Sequence, residues 1–224
     1  MTRAVVFDMY GTLLSIDAVG ATARDAGVSD PQAFLNARRR KQIEYTQLCS
    51  MAHAYRPFDE LTARALEHTC AALGLSLDIV ARANLVDAWR ALPAFPDVEP
   101  ALRELAARNI PAAVLTNGSP DSARAVLRHA GIIELFTDVL SVDPVRAYKP
   151  DPRVYALATQ RFDCAPAQIA FVSSNPWDAW GGAYFGFTVA WCNRSGAVAE
   201  ALEPAPRAEL RSLAELDAFV ATLP

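Results

Sequence analysis

A four-residue apolar run, Ala4-Val5-Val6-Phe7, stands alone at the start of the chain, and the other strand-like runs lie far downstream. From about Ser15 to Pro93 the sequence reads as helix, rich in Ala, Leu and Arg. Ser29-Asp30-Pro31 starts one helix, Gly74 closes another, and Ser76-Leu77-Asp78 opens the next. After Pro93-Ala94-Phe95-Pro96-Asp97 the rhythm changes. Helices are predicted over 99–108, 120–130, 151–161 and 176–185, alternating with strands over 111–116, 138–141, 168–173 and 187–191. Such alternation indicates an α/β fold with a parallel, doubly wound sheet. The first strand belongs to that sheet, so the helical block is an insertion after strand one. The expected organisation is a Rossmann-type core domain, 1–14 and 94–224, with a helical cap domain, 15–93, over the sheet's active rim. Glu203-Pro204-Ala205-Pro206 reads as a loop before a last helix near 212–222.

At 224 residues the chain can bury a sizeable core. A net charge of −4 gives no reason to expect nucleic acid or an anionic membrane surface as partner. No apolar run approaches the ~20 residues of a membrane helix, and Arg3 leads straight into the first strand without signal-peptide architecture. Cys49, Cys70, Cys164 and Cys192 show no paired spacing. They read as free buried thiols of a reducing, cytoplasmic compartment. His53, His68 and His129 are scattered, so no zinc site is expected.

The first strand ends at Asp8, and Gly11 supplies the turn that lets the chain leave the sheet. Ligands of open α/β sheets bind at the carboxyl ends of strands. A carboxylate placed there can act as a covalent nucleophile, or it can simply cap a turn, as most aspartates in such positions do. The segment alone favours neither reading.

Three later segments carry polar groups out of apolar runs or Pro- and Gly-marked loops. They are Val114-Leu115-Thr116-Asn117-Gly118-Ser119-Pro120, Tyr148-Lys149-Pro150-Asp151, and Phe171-Val172-Ser173-Ser174-Asn175-Pro176-Trp177-Asp178. With the Asp8 segment, and with Gln42-Ile43-Glu44-Tyr45-Thr46 and Tyr184-Phe185-Gly186-Phe187, they run through nearly the whole chain. In this order and spacing the chain resembles the haloacid dehalogenase superfamily of aspartate-nucleophile hydrolases, in its L-2-haloacid dehalogenase branch. The resemblance implies hydrolysis of (S)-2-haloacids to (R)-2-hydroxyacids through an ester on Asp8, without metal or other cofactor, by a homodimer. It implies Thr12, Arg39, Lys149, Ser173, Asn175 and Asp178 as further catalytic residues. Substrate contacts are implied for Met9, Tyr10, Arg39, Thr116, Asn117, Phe58 and Trp177, although isolated aromatics more often pack a core.

Superfamily phosphatases place a second aspartate two residues after the nucleophile, and here that position is Tyr10. They also hold magnesium with acidic residues of the last motif, which here reads Ser173-Ser174-Asn175 and keeps one carboxylate, Asp178. Phosphoryl transfer then lacks leaving-group protonation and charge neutralisation. A halide leaves as a weakly basic anion and needs only donors. Two rival readings stay open: a phosphatase-like hydrolase with weak dehalogenation, and a non-catalytic anion-binding member.

The run Arg38-Arg39-Arg40-Lys41 lies on a helix. At 100° per residue Arg40 points away from the apolar residues, Arg39 sits at the edge of the apolar face, and Arg38 lies nearer its centre. Periodicity does not choose between Arg38 and Arg39. The resemblance assigns the halide to Arg39. Relatives commonly carry Trp-Arg-Gln at 38–40, so this chain departs there in charge and size. Lys149 is one of two lysines in an arginine-rich chain. It is either a surface loop residue or a compact cation that keeps Asp8 ionised. Thr12 and Ser173 are expected to orient the Asp8 carboxylate, with Asn175 and Asp178 forming the next layer. Asp178 also suits the dipole of the helix it opens. Thr116 to Pro120 follow a strand and open a helix, an anion site that does not distinguish phosphate from carboxylate.

Overall fold

The computed structural model describes residues 2–223. Its centre is a six-stranded sheet in the order β3-β2-β1-β4-β5-β6, every pairing parallel. The strands are β1 (Ala4–Phe7), β2 (Ala112–Thr116), β3 (Asp138–Ser141), β4 (Ile169–Ser173), β5 (Thr188–Cys192) and β6 (Ala208–Leu210). β1, β2 and β4 are buried along their whole length, as their unbroken apolar runs require in a sheet covered on both faces. From β1 the chain winds outward through β2 to β3, then crosses to β4 and winds the other way. The sheet therefore reverses direction between β1 and β4, and a crevice opens at their carboxyl ends. Asp8 and the segment after Ser173 both arrive there.

Between β1 and α5 (Val98–Ala107) the chain forms only helices: α1 (Val19–Asp25), α2 (Pro31–Met51), α3 (Phe58–Ala72) and α4 (Ile79–Ala88), besides a short 3-10 turn. Two starts read from sequence carry real caps. Asp30 accepts from the Ala33 amide at 3.0 Å and Asp78 from the Ala81 amide at 2.7 Å. Gly74 adopts the positive φ of 64° that ends α3. The chain enters and leaves this segment side by side: Ser15 donates to the Pro93 carbonyl at 2.9 Å, and Phe95 to the Leu13 carbonyl at 3.0 Å.

The remaining helices are α6 (Pro120–His129), α7 (Pro152–Phe162), α8 (Pro176–Phe185) and α9 (Leu216–Ala221). They fall within two residues of their expected bounds, except that the last helix starts late. A 3-10 turn over Leu213–Glu215 replaces its first turn. β6 went unread in the sequence, because three residues after a proline-rich loop show no periodicity. Two thiols differ from expectation. Cys70 and Cys192 are buried, whereas Cys49 and Cys164 are only partly so; all four are free. Among the described residues no helix is long and apolar enough to cross a membrane.

Candidate active site

Asp8 follows β1 and is 6% exposed. Its backbone amide still pairs with β4, at 2.9 Å from the Val172 carbonyl, so the strand's hydrogen bonding fixes where the carboxylate emerges. Gly11 turns the chain with φ 86°, and a side chain there would meet Ser174 Oγ at 3.1 Å. The turn brings Thr12 back, its hydroxyl 3.1 Å from Asp8 Oδ2 and accepting from the Ser174 amide at 2.8 Å. Asn175 Nδ2 donates to the same Oδ2 at 2.9 Å and approaches the Tyr10 carbonyl at 3.4 Å. Lys149 Nζ donates to the other oxygen, Oδ1, at 3.1 Å. Three donors from three loops thus hold one nearly buried carboxylate.

Lys149 also donates to Asp178 Oδ2 at 2.9 Å, bridging two carboxylates while itself 1% exposed. Burial works against its charge, but Asp178 and Asp8 outweigh burial and raise its pKa above the usual lysine value. Burial raises the pKa of Asp178, with Lys149 opposing. Asp178 is 0% exposed and both its oxygens accept hydrogen bonds: Oδ2 also from Ser173 at 2.9 Å, and Oδ1 from Tyr155 at 2.8 Å.

Ser173 and Asn175 therefore exchange the places expected for them. Ser173 Oγ bonds Asp178 and does not reach Asp8, because as the last residue of β4 it lies beside the start of α8; Asn175, two residues on, is carried over Asp8. Tyr155 was not read from sequence at all. Its ring is set among Phe171, Phe185 and Phe187, with centroids 5.8 Å from each. Its hydroxyl reaches Asp178 because α8 carries Gly181, where a Cβ would collide with that hydroxyl and sit 2.7 Å from Pro150 Cβ. The pair Gly181-Gly182 inside a helix was the available signal.

The arginine run separates cleanly. Arg40 is exposed, Arg39 half-buried, and Arg38 2% exposed. Arg39 donates to Gln42 Oε1 at 3.0 Å. Burial lowers its pKa, while Asp8, Tyr10 and Asp178 pull the other way. Arg38 turns instead into the helical segment, its guanidinium 3.8 Å over the Trp89 ring. Among the described residues its Nη1 and Nη2 have no hydrogen-bond partner. A cation–π contact contributes about 0.5–2 kcal/mol, whereas burying an unpaired ion costs several kcal/mol. Trp89 alone does not offset that cost.

Thr116 ends β2 wholly buried, its Oγ1 accepting from the Gly118 amide at 3.0 Å. Asn117 Oδ1 accepts from the Lys149 amide at 3.0 Å, so this loop holds the lysine's loop in place. Ser119 precedes α6 but turns its hydroxyl to Asp59 of α3, which also accepts from Ser122, both at 2.9 Å. On the opposite side Tyr148 donates to the Arg56 carbonyl at 2.6 Å, and its amide donates to Ser50 at 2.9 Å. The helical segment is thereby fastened to the sheet loops on two sides.

Tyr10 stacks on Phe58 at 6.0 Å and meets Trp89 edge-on at 6.3 Å. Burial raises the Tyr10 pKa, keeping its phenol neutral. The third ring of this group is Trp89, not Trp177, which stands half-buried in the first turn of α8. Met9 is 0% exposed and belongs to the core. A cavity of about 260 Å³ lies against Tyr10, Gln42, Phe58, Trp89 and Asp59.

Residues 2–186 match the haloacid dehalogenase-like hydrolase family. The (S)-2-haloacid dehalogenase of Pseudomonas sp. strain YL is 44% identical over 94% of this chain and 91% of its own. A crystal structure of an L-2-haloacid dehalogenase superposes with a TM-score of 0.96 at 42% identity, covering 99% of each chain. That of the L-2-haloacid dehalogenase from Xanthobacter autotrophicus with chloropropionic acid covalently bound does so with 0.92 at 32% identity, over the full length of both. With the strand that leads into Asp8, the crossover sheet and these similarities together, the chain belongs to the haloacid dehalogenase-like hydrolases.

Proposed function

We propose that this protein hydrolyses (S)-2-haloacids to (R)-2-hydroxyacids through an ester on Asp8. The observation that carries the reading is the cradle of Asp8. Lys149, Thr12 and Asn175 all donate hydrogen bonds to it and fix its direction. The amide of Asn175 and the neutral phenol of Tyr10 occupy positions where phosphoryl transfer needs acids.

In the first step an Asp8 oxygen attacks C2 from behind. The C–O bond forms as the carbon–halogen bond breaks, and the halide leaves with the bonding pair toward Arg39. Holding carboxylate, carbon and halide in line supplies the positioning that displacement requires. In the second step water attacks the ester's acyl carbon with Asp178 as base, its raised pKa suiting that task. One water proton passes to the departing alkoxide, the other to solvent, and Asp8 regains an oxygen from water. Thr116 and Asn117 are proposed to seat the substrate carboxylate, and Tyr10 and Phe58, with Trp89 in the place expected for Trp177, to line the halogen pocket. Met9 enters this reading only by positioning Asp8 from the core.

Segment 15–93 is proposed to act as a cap domain over a core of 1–14 and 94–224, consistent with the two fastenings around the site. A cytoplasmic homodimer is proposed on the resemblance, with Leu48 and Met51 exposed on α2 as apolar surface for it.

The test is a single turnover in ¹⁸O-labelled water with enzyme in excess. L-2-chloropropionate is expected to give unlabelled D-lactate, with label in the peptide containing Asp8. Label in the first product means that water attacks carbon directly and overturns the ester. Turnover is expected to survive exhaustive chelation; a magnesium requirement overturns the reading in favour of a phosphatase-like hydrolase.

A further inference from the structure

Asp97 stands at the N-cap of α5, where an aspartate ordinarily accepts from the helix's first amides, yet its side chain makes no such bond. It is turned instead to Arg194, two residues past β5. Arg194 Nη1 donates to Asp97 Oδ2 at 2.8 Å and Nη2 to Oδ1 at 3.0 Å, a two-pronged fork. Nη2 also donates to the Thr12 carbonyl at 3.0 Å. The guanidinium lies 4.1 Å over the Phe95 ring, and the Leu213 amide donates to Asp97 Oδ2 at 2.7 Å. The base of this arginine is fixed as well. Asn193 beside it donates from its backbone amide to the Leu210 carbonyl of β6 at 2.7 Å, and its Oδ1 accepts from the Ala197 amide at 2.8 Å. Arg194 therefore ties the end of β5 to the place where the helical segment rejoins the loop after Asp8. The Phe95 amide bonds the Leu13 carbonyl, one residue beyond the carbonyl that Arg194 holds.

We propose that Arg194 is a positioning residue for Asp8, acting through Thr12. The Thr12 hydroxyl has one proton and two acceptors in reach, Asp8 Oδ2 and Ser174 Oγ, each at 3.1 Å. Nothing in those two distances favours Asp8. A shift of Thr12 by a few tenths of an ångström would settle the proton on Ser174 and take a donor from the nucleophile. The hydroxyl and the carbonyl of Thr12 hang from the same backbone, so a carbonyl pinned by Arg194 restricts where the hydroxyl can swing. Asp97 supplies the anchor, because the fork holds the guanidinium plane while its outer nitrogen reaches Thr12. The effect on rate rests on the proposed attack by Asp8; the placement of Thr12 does not.

The test is a double-mutant cycle between Arg194→Met and Thr12→Val in the full chain, read as single-turnover halide release from L-2-chloropropionate. Arg194→Met is expected to slow release by about 10- to 100-fold, the cost of a misplaced group, and Thr12→Val by at least as much. The double variant is expected to match Thr12→Val alone to within about threefold, because a hydroxyl that is gone cannot be misplaced. Multiplicative losses, an unslowed Thr12→Val, or a lowered Tm with release unchanged overturn the proposal. Arg194→Lys keeps the charge beside Asp97 without the fork. It takes the place of Arg194→Met should that variant not fold, with the same outcomes deciding. Amide hydrogen exchange reads the placement without turnover. In the Arg194 variant the Ser174 amide, which bonds Thr12 Oγ1, and the Phe95 amide should exchange about 10-fold faster or more, with the Val5 amide of β1 unchanged. An equal acceleration at Val5 marks general destabilisation and overturns the proposal. Wild type that releases no halide, with the exchange pattern as expected, strikes the dehalogenase reading and leaves the placement of Thr12 by Arg194 upheld.

Discussion

Tyr155 donates its hydroxyl to Asp178 Oδ1 at 2.8 Å, the one oxygen of that carboxylate that Lys149 and Ser173 leave free. The bond crosses from α7 to α8 in a fully buried setting. It lowers the Asp178 pKa against the burial that raises it. Burial and Lys149 act on that pKa more strongly, and Tyr155 adds to the lowering from a helix that carries no other group proposed for the site.

Tyr155→Phe removes a hydrogen bond to a charged group, worth about 1.5–3 kcal/mol. Turnover is expected to fall by roughly 10- to 100-fold, with ester accumulating on Asp8 because the second step is the one slowed. The acid limb of the pH–rate profile should move to higher pH, since the carboxylate has lost a donor that favoured ionisation. Rapid-quench mass spectrometry and the pH profile check both points; an unmoved limb with no ester assigns Tyr155 a packing role only.

Removing a donor that acts on developing charge costs about 10²–10³ in turnover. Arg39→Ala should lose at least that much, with Arg38→Ala and Arg40→Ala much milder. Steady-state halide release decides it. Should Arg38→Ala be the crippling change, the register of α2 toward the substrate is off by one residue.

Lys149→Met leaves Asp8 and Asp178 buried without their shared cation, and breaking such a pair costs about 3–5 kcal/mol. The loss should depend on pH. With the cation gone the Asp178 pKa, already raised in the folded state, rises further, so the folded protein binds a proton more tightly than the unfolded chain. Stability of the variant then falls as pH rises through that raised pKa. Urea unfolding is expected to show a larger deficit relative to wild type at pH 8 than at pH 5.

Gly181→Ala places a methyl against the Tyr155 hydroxyl and Pro150. Overpacking of this kind costs about 1–3 kcal/mol. Because the two displaced groups lead to Asp178 and Lys149, turnover should drop beyond what the lowered Tm accounts for. Thermal melts with kinetics well below the melting range separate the two effects. Gly118→Ala is the comparison, its Cβ meeting ordinary contacts of 3.4–3.5 Å.

The alternation of apolar runs and turn signals after residue 97 was enough to place β2 to β5 and their helices, because burial on both faces writes itself into local composition. Asp8, Lys149 and Asp178 were legible as members of motifs that follow apolar runs or sit in Pro-marked loops, and the structure brings them together. What local pattern does not carry is which face of a buried residue meets which partner. Lys149 and Asp8 are 141 residues apart in sequence. The exchange between Ser173 and Asn175, the aromatic seat of Tyr155, the edge-on packing of Trp89 against Tyr10 in the place expected for Trp177, and the turning of Arg38 away from Arg39 all depend on how α7, α8 and the helical segment close over the sheet. Periodicity records that a side chain is buried; only the packed neighbour decides whether it is core, ligand or counter-charge.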